Sequence, residues 1–469
     1  MITYGHMEWN AQNVKVVKFG GSSLADAKQI KKICNIVLSD PDRRIVVVSA
    51  PGKGENDPCK VTDMLIETAS VALNSGIKEA CVYMERIATR FLSIAYELGI
   101  PEVGEGIKAD LYTLLDENIL DNNRFTDMVK AAGEDNCAKL VVAYLNSLGY
   151  KAVYANPGDC GMILSDEYGN GRVLEKSFTL LRENLKKIDG IVIFPGFFGR
   201  TESGEIATFP RGGSDTTGAI LAAAVNADVY ENFTDVDYVY SVDPKLVKNP
   251  HPIKLVTYRE MRELSYAGFN VYQEEALLPV YRAGIPVHIR SVDKPSCPGT
   301  RIVARREGGD VDKHIAGIAF DCGFTSIYIS KYLMNREIGF GRHVLSIIED
   351  EGISYEHTPT GIDDVTVILR DSLLTNGKLD RIIGRIKSEL LPDDIDVVRN
   401  LSLIVVVGEG MKYGIGIAAA ATSALAKAGI NISMISQGSS EVSMIFAVEC
   451  GYAEDGVRAL YEVFFEDSK

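Results

Sequence analysis

The sequence predicts an α/β protein: a mostly parallel sheet covered by helices, followed by two ferredoxin-like α+β units. Three observations carry this. Short apolar strands alternate with helical periods through the first part of the chain. The stretch from Val61 to Leu148 is helical in period almost throughout, a helical excursion from the sheet. Near the C-terminus, Met334, Gly339, Gly352, Ile353, Gly361 and Val365 recur as Met411, Gly416, Gly429, Ile430, Gly438 and Val442, each 77 residues on.

The first strand, Lys15 to Phe19, runs into Gly20-Gly21-Ser22-Ser23, with a helical pattern opening at Leu24 and a helix over Asp26 to Leu38. Paired glycines let the backbone come close to a bound group, amides at a helix start face negative charge, and Lys18 adds a mobile cation. Further strands read at Arg44 to Ser49, Ala152 to Tyr154, Gly190 to Phe194, Asp228 to Asn232 and Pro286 to Ile289. Glu202, Ser203 and Gly204 form the tip of a hairpin between Phe198 and Ile206. A second glycine turn, Arg211-Gly212-Gly213-Ser214-Asp215, opens a helix over Ser214 to Val225. Two such turns point to a polyanionic ligand, and neither has the GxxxxGK[ST] form.

Proline, glycine and basic residues from Pro295 to Arg306 mark a domain boundary. The expected division is therefore 1–305, then two repeat units at 306–395 and 396–469. Each repeat reads strand, loop, helix, strand, turn, strand, helix. Gly414 to Ala419 matches GxGxxA, but no acidic residue follows at the next strand end and too little chain remains for a dinucleotide fold.

With 46% apolar residues the chain can build sizeable cores, and its net charge of −15 argues against nucleic-acid and anionic membrane partners. Any anionic substrate then needs a locally basic pocket. The eight cysteines form no CxxC pair and read as reduced thiols of a cytoplasmic protein. The N-terminus lacks the pattern of a signal peptide, no apolar run reaches membrane-spanning length, and the six histidines show no HExxH spacing.

Lys18 to Ser23, Val46 to Ala50, Gly133-Glu134, Arg211 to Asp215, Thr234-Asp235-Val236, Tyr240 and Asp243-Pro244 together resemble the aspartokinase family, within the amino-acid kinase fold. The C-terminal repeat resembles that family's paired ACT regulatory domains. The resemblance implies transfer of the ATP γ-phosphoryl group to the side-chain carboxylate of L-aspartate, giving 4-phospho-L-aspartate, the first step towards lysine, threonine and methionine. Such a carboxylate is ionised at neutral pH and needs no general base. The obstacle is charge: two unit charges ~4 Å apart repel by ~4 kcal/mol at an effective dielectric of 20.

Carried over by the resemblance, Lys18 steadies the transferring phosphoryl, Gly20, Gly21 and Ser22 line the nucleotide phosphates, and Asp215 orients the lysine or metal. Arg211, with Gly212, Gly213 and Ser214, clamps an aspartate carboxylate; Glu134 takes the α-ammonium, and Ser49 and Thr62 line the same pocket. Thr234, Asp235, Tyr240 and Lys245 hold the nucleotide, with Mg²⁺ carried by ATP and no protein-bound metal. Lys245 stands where an arginine is usual, and Asn270 where relatives carry a phosphate-binding lysine. The ACT resemblance implies feedback inhibition by lysine, threonine or both, at Met334, Gly339, Phe340 and Asp364 in the first copy and Asn431, Ile432, Gln437 and Ser440 in the second. Open sheet edges point to a homodimer or homotetramer. Two other readings stay open at this level: a kinase of another small acceptor, such as glutamate, acetylglutamate or UMP, and a non-catalytic amino-acid sensor.

Overall fold

The structure, a computed structural model, describes residues 13–54, 57–115, 121–210, 212–269, 276–306 and 314–466. Strand β1 (Lys15–Phe19) leads to α1 (Ala27–Leu38) and β2 (Arg43–Val48). The helical excursion follows as α2 (Val61–Asn74), α3 (Ile77–Leu98), α4 (Pro101–Thr113) and α5 (Asn122–Ser147). The chain then makes β3 (Ala152–Tyr154), α6 (Pro157–Cys160), α7 (Lys176–Leu185), β4 (Ile191–Pro195), the hairpin β5 (Phe198–Arg200) and β6 (Ile206–Thr208), α8 (Gly213–Val225) and β7 (Val229–Thr234). Next come β8 (Val239–Tyr240), β9 (Pro252–Ile253), β10 (Leu255–Thr257), α9 (Tyr258–Tyr266), α10 (Leu277–Ala283), β11 (Val287–Ser291) and β12 (Thr300–Val303). The stretch expected to be a boundary thus contains β12, a strand of the first sheet.

One sheet has the order β10-β12-β11-β7-β1-β2-β4-β3, parallel throughout except where β12 runs against β11. Ile45, Val46, Val47 and Val48 are all fully buried, as expected for strands covered on both faces. The strand order reverses between β1 and β7, so the carboxyl ends of these strands frame a crevice of the kind that takes ligands. Glu231 on β7 links to β2 and β11, accepting from Arg43 Nε at 2.6 Å and Arg290 Nη1 at 2.7 Å. Burial pushes its carboxyl up, but hydrogen bonds and charge from Arg43 and then Arg290 outweigh this and hold it below its ordinary range.

The described residues fall into two compact units, 13–239 with 254–258 and 276–306, and 240–253 with 259–269 and 314–466. The second unit contains β13 (Gly317–Ser330), α11 (Phe340–Asp350), β14 (Asp364–Arg370), α12 (Lys378–Leu390), β15 (Asp394–Val407), α13 (Ile417–Lys427), β16 (Met434–Ser436), β17 (Ser443–Glu449) and α14 (Ala453–Tyr461). They form one antiparallel sheet, β14-β13-β15-β17-β16. It carries two cores. Ile327, Ile329 and Val367 pack with α11 and α12, while Ile318, Ile404 and Phe446 pack with α13 and α14. The long strands β13 and β15 serve both cores, so the boundary expected at 395/396 falls inside β15.

The 77-residue repeat has a backbone cause. Gly339 and Gly416 sit at φ +85° and +88° as the N-caps of α11 and α13, and Gly352 and Gly429 follow those helices at +66° and +73°. These left-handed positions favour glycine. The copies differ in one element: β16 is a strand, whereas its counterpart in the first copy makes only isolated bridges, His357 with Ile368 and Thr360 with Val365. The GxGxxA match is the turn into α13.

Two of the eight cysteines are joined, contrary to the reading of all of them as reduced thiols. Cys322 on β13 and Cys450, just after β17, form a disulfide with Cα atoms 5.9 Å apart. They lie 128 residues apart, so only the fold brings them together.

Candidate active site

The glycine turn after β1 is built differently from the sequence expectation. Gly21–Leu24 forms one 3-10 turn, and α1 begins only at Ala27, where Asp26 accepts from the Gln29 amide at 2.8 Å. The Gln29 amide of that helix start is thus capped from within. The reason for Gly21 is close approach: a Cβ there would lie 2.9 Å from Ala50 O. Gly52 completes the contact, since its own Cβ would lie 2.4 Å from Gly21 C, and its amide donates to Gly21 O at 2.7 Å. Gly20 is bare where a Cβ would come 3.6 Å from Lys18 Nζ, which leaves the ammonium approachable from that side.

Lys18 is buried at the end of β1, and its Nζ meets Asp215 Oδ1 at 2.7 Å. Asp215 arrives from the first turn of α8, whose N-cap Gly212 has φ +79°. Gly213 and Ser214 are equally constrained. A Cβ at Gly213 would lie 2.7 Å from the Phe197 ring, and one at Gly196 would lie 2.6 Å from Ser214 Oγ. Gly196, just after β4, hydrogen-bonds to Val48 O, so the turns after β2 and β4 and the start of α8 meet at the carboxyl ends of the strands. Arg211 lies outside the described residues, as does Asn270.

A third group forms beside these. A Cβ on Gly133 would lie 2.8 Å from Ala50 Cβ and 3.5 Å from Val61 Cγ1, so α5, the end of β2 and the start of α2 are in close contact. Glu134, next to Gly133, accepts a hydrogen bond from the Ala50 amide at this contact. Glu134 is 4% exposed. Burial pushes its carboxyl up to about 8, against the smaller pull of hydrogen bonds from the Ala50 amide and its own amide. Its Oε2 has no hydrogen-bond partner. A buried carboxyl with an idle oxygen is a receptor for a cationic donor.

Thr234 ends β7 and its hydroxyl donates to Asp235 Oδ1 at 3.0 Å. Tyr240 and Lys245 fall in the second compact unit, where the Lys245 amide donates to Asp243 Oδ1 at 2.9 Å. Of the regulatory candidates, Met334 and Phe340 have their side chains in the first-copy core, and Gly339 caps α11. Asp364 opens β14 against Gly361; Asn431, Gln437 and Ser440 are exposed, and Ile432 is half-buried against the second-copy core. Sequence reasoning passed over Gly52, Gly196 and Asn232. Asn232 donates from Nδ2 to Asp215 Oδ1 at 2.8 Å. Its one signal was a polar residue inside a buried strand.

The model of the amino acid kinase family matches residues 13–291, and an ACT domain model matches residues 404–464. Aspartokinase 3 of Bacillus subtilis (strain 168) is 51% identical over 453 residues, spanning 96% of this chain and 99% of its own. The chain belongs to the aspartokinase family. Its fold agrees with solved aspartokinases: the crystal structure of the Clostridium acetobutylicum aspartate kinase matches with a TM-score of 0.80 at 37% identity, covering 96% of this chain and 100% of the other. Escherichia coli aspartokinase III in complex with aspartate and ADP matches with a TM-score of 0.76 at 27% identity, covering 97% and 100%. The same aspartokinase in complex with lysine and aspartate matches with a TM-score of 0.74.

Proposed function

We propose that this aspartokinase transfers the γ-phosphoryl group of ATP to the side-chain carboxylate of L-aspartate and forms 4-phospho-L-aspartate. The observation that carries the choice of acceptor is Glu134, buried beside the Ala50 amide with one oxygen unpartnered. An α-ammonium supplies the missing partner. N-acetylglutamate and UMP have no such group, which disfavours both. The E. coli relative with aspartate and ADP supports the same substrate pair.

The β-carboxylate is the nucleophile and is already ionised. The protein's task is to hold it in line with the γ-phosphorus and to offset the charge that accumulates on the transferring group. Lys18, buried and aimed by Asp215, brings the cation, and the bare Gly20 leaves that ammonium approachable. Arg211 completes the grip on the acceptor's α-carboxylate, and Thr234, Asp235, Tyr240 and Lys245 hold the nucleotide. Mg²⁺ enters with ATP as part of the substrate.

The parallel-sheet unit carries the phosphoryl chemistry, and the repeat unit carries inhibition by lysine, threonine or both, a reading supported by the E. coli relative with lysine. The edge strands β14 and β16 support association into a homodimer or homotetramer. No described helix is long and apolar enough to cross a membrane.

The test is ADP release from ATP and Mg²⁺ with L-aspartate, L-glutamate and N-acetyl-L-glutamate offered in turn. Turnover on aspartate, lost in Lys18→Ala, is the expected result. Turnover only on another acceptor, or on none, overturns the reading.

A further inference from the structure

β1 and β7 pair so that Asn232 stands directly beside Lys18. Register partners in a parallel pair project to the same face of the sheet. Asp215 reaches that face from α8, and its Oδ1 accepts from Lys18 Nζ at 2.7 Å and from Asn232 Nδ2 at 2.8 Å. Asn232 is 3% exposed, and its Oδ1 has no hydrogen-bond partner. A buried amide oxygen left idle is destabilising, whereas an apolar side chain at the same strand position would pack without that cost. Packing therefore does not explain the asparagine. What it does is fix a carboxylate: with a lysine alone, on a flexible four-carbon stem, the Lys18–Asp215 pair could swing as a unit. A second donor on the same oxygen removes that freedom. Because the donor is neutral, it does not compete with Lys18 for phosphate.

Resting on the aspartokinase reading, we propose that Asn232 is a positioning residue for phosphoryl transfer, holding Asp215 and through it the direction of Lys18 Nζ. Its route of action runs through Asp215.

The experiment compares wild type, Asn232→Leu and Asn232→Asp in the full chain by steady-state ADP release with aspartate and ATP. In Asn232→Leu, kcat falls about 10- to 100-fold, the size of a small misplacement of a reacting group, while both KM values move less than about threefold. In an Asp215→Ala background the same change lowers kcat no further, because its route of action is gone. Asn232→Asp sets a second carboxyl against Asp215. Protonated, it donates as the amide did; ionised, it repels, so its kcat relative to wild type falls as pH rises. A purely structural asparagine leaves kcat per folded molecule unchanged and gives Asn232→Asp the wild-type pH profile, and either result overturns the proposal. Should Asn232→Leu fail to fold, the pH profile of Asn232→Asp decides alone. A wild-type chain inactive on aspartate overturns the aspartokinase reading and this inference with it, whereas an active wild type with indifferent Asn232 variants overturns this inference only.

Discussion

Glu134, proposed to receive the acceptor's ammonium, carries a cost in stability. In the unfolded chain its carboxyl titrates at the ordinary value of 4.5, and in the folded chain at about 8. Between those pH values the folded state holds a proton that the unfolded state has lost, so stability falls as pH rises across this window; below it the two states agree, and above it the full penalty applies. Glu134→Gln removes the titration. Its melting temperature at pH 8 is expected to exceed that of wild type, by an amount set by a penalty on the order of a few kcal/mol, while at pH 4 the two converge. The same substitution weakens aspartate by about 2–5 kcal/mol, since an ammonium then faces no counter-charge. Thermal melts at the two pH values, read beside KM for aspartate, check both signs. A variant less stable than wild type at pH 8 would contradict the account.

At the scale of elements, the site depends on how closely the turns after β1 and β2 approach. A Cβ on Gly52 would meet Gly21 backbone atoms at 2.4–2.7 Å, and no side-chain rotation relieves a backbone clash. Gly52→Ala is therefore expected to push the turn after β1 away from Ala50, costing about 1–3 kcal/mol of stability and lowering kcat. Denaturant melts and the ADP assay measure both, and a variant indistinguishable from wild type in each would refute the close-approach argument. Much of this level was legible in the sequence. The apolar runs and flanking glycines placed β1 at Lys15 to Phe19 and the β5–β6 hairpin around Ser203 because local pattern and local structure coincide there. What stayed hidden was long-range. Gly52 needs a partner 31 positions upstream, as the separation of Gly21 from Gly52 shows, and the Cys322–Cys450 bond needs the fold of the whole second sheet. The helix read over Asp26 to Leu38 stands as α1, with Asp26 its N-cap; the separate 3-10 turn at Gly21–Leu24 before it had no signal in the local pattern. Asn232 reads as an ordinary strand residue until Asp215 is beside it.

On the scale of the whole molecule, segments that precede the repeat in sequence nevertheless belong to its compact unit. The Ile318 amide donates to Ser241 O at 2.7 Å, the His251 amide to the Tyr461 hydroxyl at 3.0 Å, and the Glu409 amide to Glu260 Oε1 at 2.8 Å. Tyr240 and Lys245, assigned to the nucleotide, lie on one of these segments. A ligand that binds the repeat unit more tightly in one state than another therefore acts on residues assigned to ATP. Lysine is expected to raise the apparent KM for ATP more than that for aspartate, and by reciprocity ATP weakens lysine by the same factor in calorimetric titrations. No heat on titration with lysine or threonine would remove the regulatory reading.

The central proposal is that the buried carboxyl of Glu134 on α5 receives the amine of the acceptor. Calorimetry of aspartate binding at pH 7 in buffers of differing ionisation enthalpy measures it directly. With Glu134 titrating at about 8, binding of the ammonium should expel about one proton per aspartate from wild type and none from Glu134→Gln. Aspartate that binds wild type without releasing a proton would contradict the claim.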